Sequence, residues 1–263
     1  MNTTFGIRNL GDILSETFRV YGRSFWRLVA IVAIVQGSLA ILWFVGVLAG
    51  LLPVVIGGAA FDTLEAIQTL LLCVPIVVMA VILMVVSFVA AFLMEGALIH
   101  AVSEQHFKRP VSIGQAYRFV WRRLGSLVGA GFLAGLAVGA MSMTVIGIPA
   151  AIYFGITWVF VWQVALLEGC GPRAVLRRSS ALVKESWWRV LGIMLLFGLI
   201  AGAISGVLGI MPVLGSIVGA ILSAPVAIIG STLLYYDLRV RKEGYSLEVL
   251  AGELGVEIAR DVS

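Results

Sequence analysis

The sequence predicts an all-α integral membrane protein with six transmembrane helices. Three observations carry this. The chain of 263 residues is 61% hydrophobic and only 12% charged, about half the charge of an average soluble domain, so it cannot cover a water-facing surface. Its apolar residues fall in four long uncharged runs, each a span or a pair of spans. Its basic residues are confined to the segments that would lie on one side of the bilayer.

The spans follow in chain order. A hydrocarbon core of about 30 Å takes roughly 20 helical residues. Leu28–Leu52 is 25 residues without a charge and forms span one. Met1–Trp26 before it mixes Asp12 and Glu16 with Arg8, Arg19 and Arg23, which does not read as a signal peptide. Thr69–Met94 forms span two. Leu127–Leu167, 41 residues, is too long for one helix, and "GIP" at 147–149 is the expected break between spans three and four. Val190–Tyr236, 47 residues, is expected to divide near "GIMPVLG" at 209–215 into spans five and six. Proline removes a backbone donor and glycine frees a turn, which is why the breaks are placed there. The runs do not alternate in polarity, which argues against a β-barrel.

Orientation follows from charge. With the N-terminus, 103–126, 168–189 and 238–263 on one side, all 18 Lys and Arg lie there or at its membrane border. The other side receives Asp62 and Glu65 and no basic residue. The positive-inside rule then places both termini in the cytoplasm and the protein in the inner or plasma membrane.

Segments that enter the spans repeat. "ILSETFRVYGRSFWRLVAI" (13–31) aligns with "VLRRSSALVKESWWRVLGI" (175–193) through Leu14/Leu176, Ser24/Ser186, Trp26/Trp188, Arg27/Arg189 and Ile31/Ile193. A weaker copy is "VSIGQAYRFVWRRLGSLVGA" (111–130), where Arg118 and Arg122 match Arg19 and Arg23. Each copy has amphipathic helical spacing. In the first, Ile13, Leu14, Phe18, Tyr21 and Phe25 oppose Asp12, Glu16, Arg19 and Arg23. In the last, Val175, Leu176, Ser179, Leu182, Val183 and Ser186 oppose Arg177, Arg178, Ala181, Lys184 and Glu185. Ser112 and Gln115 suggest a capping box in the middle copy, and Pro172 suits a first helical turn. Such helices lie in the membrane interface, although similar stretches also occur as cytosolic helices or buried between spans. The expected turn from the last interfacial helix into span five is Trp187–Arg189.

The predicted architecture is therefore three parallel repeats, each an interfacial amphipathic helix plus a transmembrane hairpin, over about 12–106, 111–170 and 172–242. One membrane domain covers 1–245, and 246–263 forms a short cytoplasmic tail helix. Candidate lipid-headgroup contacts are Arg19, Arg23, Arg118, Arg122, Arg177, Arg178 and Lys184, which would favour anionic membrane lipids.

A carboxylate stands at the end of each even span: Glu95, Glu168 and Asp237. Each opposes its helix dipole and calls for a cation. Arg27, Arg123 and Arg189 are the natural partners. An interface salt bridge and an ion or proton site are both compatible with that pattern. Gln36 and Gln163, inside spans one and four, suit an interhelical hydrogen bond or a polar pathway. Gly131, Gly135 and Gly139, and Gly198, Gly202 and Gly206, form ridges expected to pack within the monomer or between copies.

Catalysis is not expected. His100 and His106 would point to different helix faces, no cluster has metal-ligand spacing, and P-loop, G-x-S-x-G and H-E-x-x-H motifs are absent from the sequence. No cofactor is implied. Cys73 and Cys170 are expected to be unpaired thiols on opposite sides. The basic residues hug the bilayer, so nucleic acid is not an expected partner.

"DILSETFRVYGRSFWRL", "LEGCGPRAVLRRSSALVKESWWRVLGI" and "LLYYDLRVRKEGYSLE" together resemble prokaryotic six-span proteins related to the membrane domain of glycerophosphoryl diester phosphodiesterases. The resemblance covers nearly the whole chain. In the fused proteins it implies catalysis in a separate soluble barrel, for which this chain has no room, so no catalytic residue carries over. Three functions follow as expectations: a lipid-organising or partner-scaffolding protein, a small transporter or lipid-handling protein with a cavity between hairpins, and, least supported, an intramembrane enzyme. Reporter fusions test the topology: both termini are expected to report the cytoplasm, and an external signal from either would overturn it.

Overall fold

The computed structural model describes residues 9–57, 63–105, 113–211 and 214–244, with side chains described over 9–48, 74–103, 114–211 and 214–244. Among these residues it is helical, with nine α-helices. Six helical stretches are long and apolar enough to cross a membrane: Phe25–Leu48, Val74–Ser103, Gly114–Ser142, Gly147–Leu167, Trp187–Leu208 and Leu214–Glu243. The chain is a multi-pass membrane protein. The expected tail helix, Ser112, His106, Asp62 and the side chains of Glu65 and Cys73 lie outside the described residues.

Helix α1 (Leu10–Arg23) starts where the Asp12 carboxylate accepts the Asn9 N–H at 2.9 Å, one arm of a capping box. Its buried face is Ile13, Thr17 and Val20. Phe18, expected on the apolar face, is exposed instead, and Thr17 takes the inner position by returning its hydroxyl to the Ile13 carbonyl at 2.7 Å. A single residue, Ser24, separates α1 from α2 (Phe25–Gly57). Helix α3 (Thr63–Gln105) continues well past Met94, the predicted end of span two.

The middle copy departs from expectation. Helix α4 (Ile113–Ser142) is continuous, so its amphipathic start is the first part of the span helix and not a separate interfacial element. Gly125 and Ser126, between Arg122 and Leu127, stay within the helix. The turn into α5 (Gly147–Thr157) falls at Met143–Ile146, ahead of "GIP". Pro149 sits in the first turn of α5, where its missing N–H costs no helical bond. The fourth span is itself interrupted at Trp158–Phe160 before α6 (Val161–Leu167). Gly169, at φ +63°, takes the left-handed conformation that ends α6.

Helix α7 (Pro172–Val183) has Pro172 at its first position. It ends at Lys184–Ser186, so the turn into α8 (Trp187–Leu208) precedes Trp187–Arg189, which form the first turn of α8. Ser186 has φ −123° and ψ 20°. Ser24, aligned with it in sequence, has φ −119° and ψ 21°. Leu28 and Val190, also aligned, are both buried, while Trp26 and Trp188 are both 80% exposed. Helix α9 (Leu214–Glu243) follows, extends seven residues past the end of the uncharged run at Tyr236, and ends at Gly244 (φ +62°). Pro75 and Pro225 lie inside continuous helices.

The chain divides into two compact units: Met1–Val32 with Phe92–Ser263, and Ala33–Ala91. In the smaller unit, Trp43 donates its indole N–H to Ser87 Oγ at 3.0 Å, and Leu83 lies against Gly46. The larger unit is built on α9. From Ser231 to Arg239 every residue is buried. Helix α8 packs along α9, and α1 packs on it from another side, with Tyr21 donating its hydroxyl to the Leu222 carbonyl at 3.1 Å. Burial raises the pKa of that Tyr21 hydroxyl. The inner faces of α1 and α7 thus pack on protein.

Most positions of the glycine ridges make no close approach within the chain. Gly135, Gly139, Gly198, Gly202 and Gly206 would place an added Cβ in open space; among the two ridges, Gly131 alone meets neighbours, the rings of Trp162 and Phe92. In the last hairpin the close approaches are made by glycines of α9 instead. A Cβ on Gly219 would lie 3.0 Å from Ser205 Cα, and one on Gly230 would lie 2.5 Å from the Phe197 ring. Gly230→Ala is therefore expected to cost about 1–3 kcal/mol through overpacking. Gly202→Ala should leave the melting temperature in detergent unchanged or slightly higher. Equal melting temperatures for the two variants would contradict this packing.

Candidate functional site

Two clusters of ion-paired groups gather near the C-terminal end of α9. Asp237 has a side chain 0% exposed, and Arg189 Nη2 on α8 donates to its Oδ2 at 2.8 Å. Arg241, one turn along α9, donates to the same oxygen at 2.9 Å. A carboxylate removed from water keeps its charge only when paired in this way.

A second cluster stands beside it. Arg178 on α7 donates from Nε to Glu168 Oε2 at 2.8 Å and from Nη2 to Glu243 Oε2 at 2.7 Å. The other Glu168 oxygen accepts the Tyr235 hydroxyl at 2.9 Å. Arg239 closes the ring, donating to Tyr235 Oη and Glu243 Oε2, both at 3.2 Å. Burial by itself would lower the Arg178 pKa, but hydrogen bonds and charge from Glu243 and Glu168 outweigh it and raise the pKa. Two acids and two guanidinium groups thus neutralise one another across α6, α7 and α9. Lys242 extends the contact to the end of α7, donating to the Ala181 carbonyl at 3.2 Å.

The expected pairings are met unevenly. Arg189 reaches Asp237. Arg123 does not take Glu168. Its Nη1 donates to the Leu166 and Leu167 carbonyls, closing the last turn of α6, and its guanidinium stands 4.9 Å above the Phe119 ring. Glu168 sits beyond that turn and is met by Arg178, which is partly exposed and paired with both Glu168 and Glu243. Glu95 and Arg27 have no ionic partner among the described residues. Arg19 pairs with Glu16 at 2.7 Å and remains exposed; Arg23, Arg118, Arg122, Arg177 and Lys184 are also exposed.

Gln163 donates to Ser231 Oγ at 3.1 Å between α6 and α9, while its Oε1 is buried with no hydrogen-bond partner. Thr157 returns its hydroxyl to the Tyr153 carbonyl at 2.7 Å. Gln36 and Ser87 belong to the smaller unit. His100 stacks on Phe119 at 4.4 Å. Cys170 is a free thiol. Among the described residues no three His, Cys, Asp or Glu side chains come together as metal ligands.

Sequence reasoning missed Tyr235, Arg239 and Glu243. The signal available was the spacing of 235, 239 and 243, successive turns of one helix face, in a stretch that crosses the predicted end of span six at Tyr236.

Comparison with protein-family models, with curated proteins and with solved structures finds no match.

The pairing predicts an order of costs. Asp237→Asn leaves two guanidinium groups without their carboxylate and is expected to cost about 3 kcal/mol, the lower end for breaking a buried pair. Arg241→Gln, with Arg189 still in place, should cost below about 1 kcal/mol. Thermal unfolding in detergent measures both, and an Asp237→Asn variant as stable as the parent would show that the cluster contributes nothing.

Proposed function

We propose that the protein is a non-catalytic membrane protein that organises anionic lipid, or holds a partner, through the cationic faces of its cytoplasmic-side helices. One observation carries this reading: exposed cations stand beside exposed tryptophans where helices enter the apolar spans. Arg23 precedes Trp26, Arg118 and Arg122 flank Trp121, and Lys184 precedes Trp188, and all of these side chains are exposed. Tryptophan prefers the headgroup level of a bilayer, and basic residues there attract anionic lipid at about 1 kcal/mol each. The opposite faces of α1 and α7 are anchored in protein, so the cations are presented from a rigid support.

The reading includes three parallel repeats, interfacial placement of α1 and α7, cytoplasmic termini and kinship with the membrane domain of glycerophosphoryl diester phosphodiesterases. The matching backbone at Ser24 and Ser186 supports the repeat for the first and last copies. The middle copy has a continuous helix in place of the break. A small transporter or lipid-handling protein is the second reading, favoured by the buried, unsatisfied Gln163 Oε1 in the core.

The test is lipid selectivity of the full chain in mixed bilayers. Replacing Arg23, Arg118 and Arg177 with Gln is expected to weaken enrichment of anionic over zwitterionic lipid by at least about tenfold, given about 1 kcal/mol per charge. Unchanged enrichment would remove the main support for a lipid-organising role. Gln163→Leu should leave the enrichment alone; its effect on solute flux in liposomes tests the transporter reading.

A further inference from the structure

A cleft of about 740 Å³ opens between α5 and the turn that joins α7 to α8. Its volume is in the range of small-molecule sites. One wall is apolar, with Pro149 and Ile152 of α5. The floor is aromatic: Tyr153 and Trp187 stack at 5.8 Å with planes 20° apart, and Trp187 donates its indole N–H to the Tyr153 carbonyl at 3.3 Å. Trp188 meets Trp187 edge-on at 4.8 Å. The opposite wall is polar and comes from Lys184–Arg189.

The charges in that wall are not equivalent. Arg189 is committed to Asp237. Glu185 faces Lys242 at 3.7 Å and is mostly exposed. Lys184 is exposed and has no ionic partner among the described residues. The cleft therefore combines one uncommitted ammonium, an aromatic floor and an apolar wall. Trp187–Arg189, which also line the cleft, form the first turn of α8, which has no side-chain cap from Ser186; a helix start carries partial positive charge.

We propose that this cleft seats the headgroup of one membrane phospholipid per chain, its phosphodiester at Lys184 and its acyl chains leaving past Pro149 and Ile152. The aromatic floor suits the boundary between headgroup and chain, where amphipathic rings are favoured. A free phosphate would use the ammonium and leave the apolar wall without an occupant, which is why the lipid is the chosen source. The glutamate at the rim lets a headgroup ammonium be tolerated as well as a neutral glycerol. The proposal rests on the lipid-organising reading and gives it one defined, saturable site in place of diffuse attraction.

The experiment uses the full chain in nanodiscs of phosphatidylcholine doped with phosphatidylglycerol or phosphatidylethanolamine, with native mass spectrometry to count lipid that survives activation. One retained phosphatidylglycerol or phosphatidylethanolamine per chain is expected. Lys184→Ala and Trp188→Ala should each weaken retention by about tenfold, the scale of one charge-assisted contact. Both side chains are exposed, so the variants should unfold at the parent temperature, and Lys184→Arg should retain the lipid. Arg23→Gln with Arg177→Gln should reduce bulk anionic enrichment but not the single retained lipid. Retention that is unchanged in Lys184→Ala and Trp188→Ala, while the parent still enriches anionic lipid, would overturn the cleft and leave the wider reading standing. Absence of both enrichment and a retained lipid in the parent would sink the two together. Glycerol phosphate competing with the retained lipid at equal concentration would show that the ligand is the free phosphate and overturn the lipid assignment.

Discussion

The larger unit depends on one constraint: a carboxylate, Asp237, has been taken entirely out of solvent. An isolated buried charge is so costly that it must be paired or neutralised. Asp237 is paired twice, by Arg241 from its own helix and by Arg189 from α8. The second pair locks the last hairpin at one end while the Gly219–Ser205 and Gly230–Phe197 contacts close it along its length. Glycine removes the side chain that would hold the helices apart, and the ion pair then sets their register.

The neighbouring cluster extends the same logic to two further elements. Glu168 lies just past α6, and its partner comes from α7, a helix that follows after a tight Gly169–Gly171 connection. Because Arg178 must reach both Glu168 and Glu243, α7 cannot drift over the surface. Its Val175, Ser179 and Leu182 face protein, and Ser179 donates to the Thr157 carbonyl at 2.9 Å. An amphipathic helix is usually assigned to lipid from its pattern alone, yet an apolar stripe is equally served by a protein surface. Here polar contacts from the inner faces, Ser179 to the Thr157 carbonyl and Tyr21 to the Leu222 carbonyl, mark the neighbour as protein.

Function, on the reading proposed, belongs to what this scaffold leaves uncommitted. The cations consumed by the clusters stabilise the bundle. Those left over, above all Lys184 beside an aromatic cleft, are free to meet a ligand. The distinction can turn on one position: Arg178 is partly buried and ion-paired, and Arg177 beside it is exposed, although both stand on the face that helical spacing marks as polar.

Much was legible in the sequence because the bilayer imposes lengths that composition reveals. Six apolar helices, the hairpin near 209–215, Pro172 at a helix start and the Arg189–Asp237 pairing all follow from run length, turn chemistry and charge placed near charge. The misplaced features share a cause. The continuity of α4, the interruption at Trp158–Phe160 and the turn ahead of Trp187 depend on which neighbour each residue packs against, and local pattern does not encode it. The glycine ridges show the same limit, since a small residue permits a close approach without specifying that a helix will make one. Sequence determined what had to leave water; only the tertiary structure decided which side chains would meet there, because pairing a buried charge depends on distance in space and not on separation along the chain.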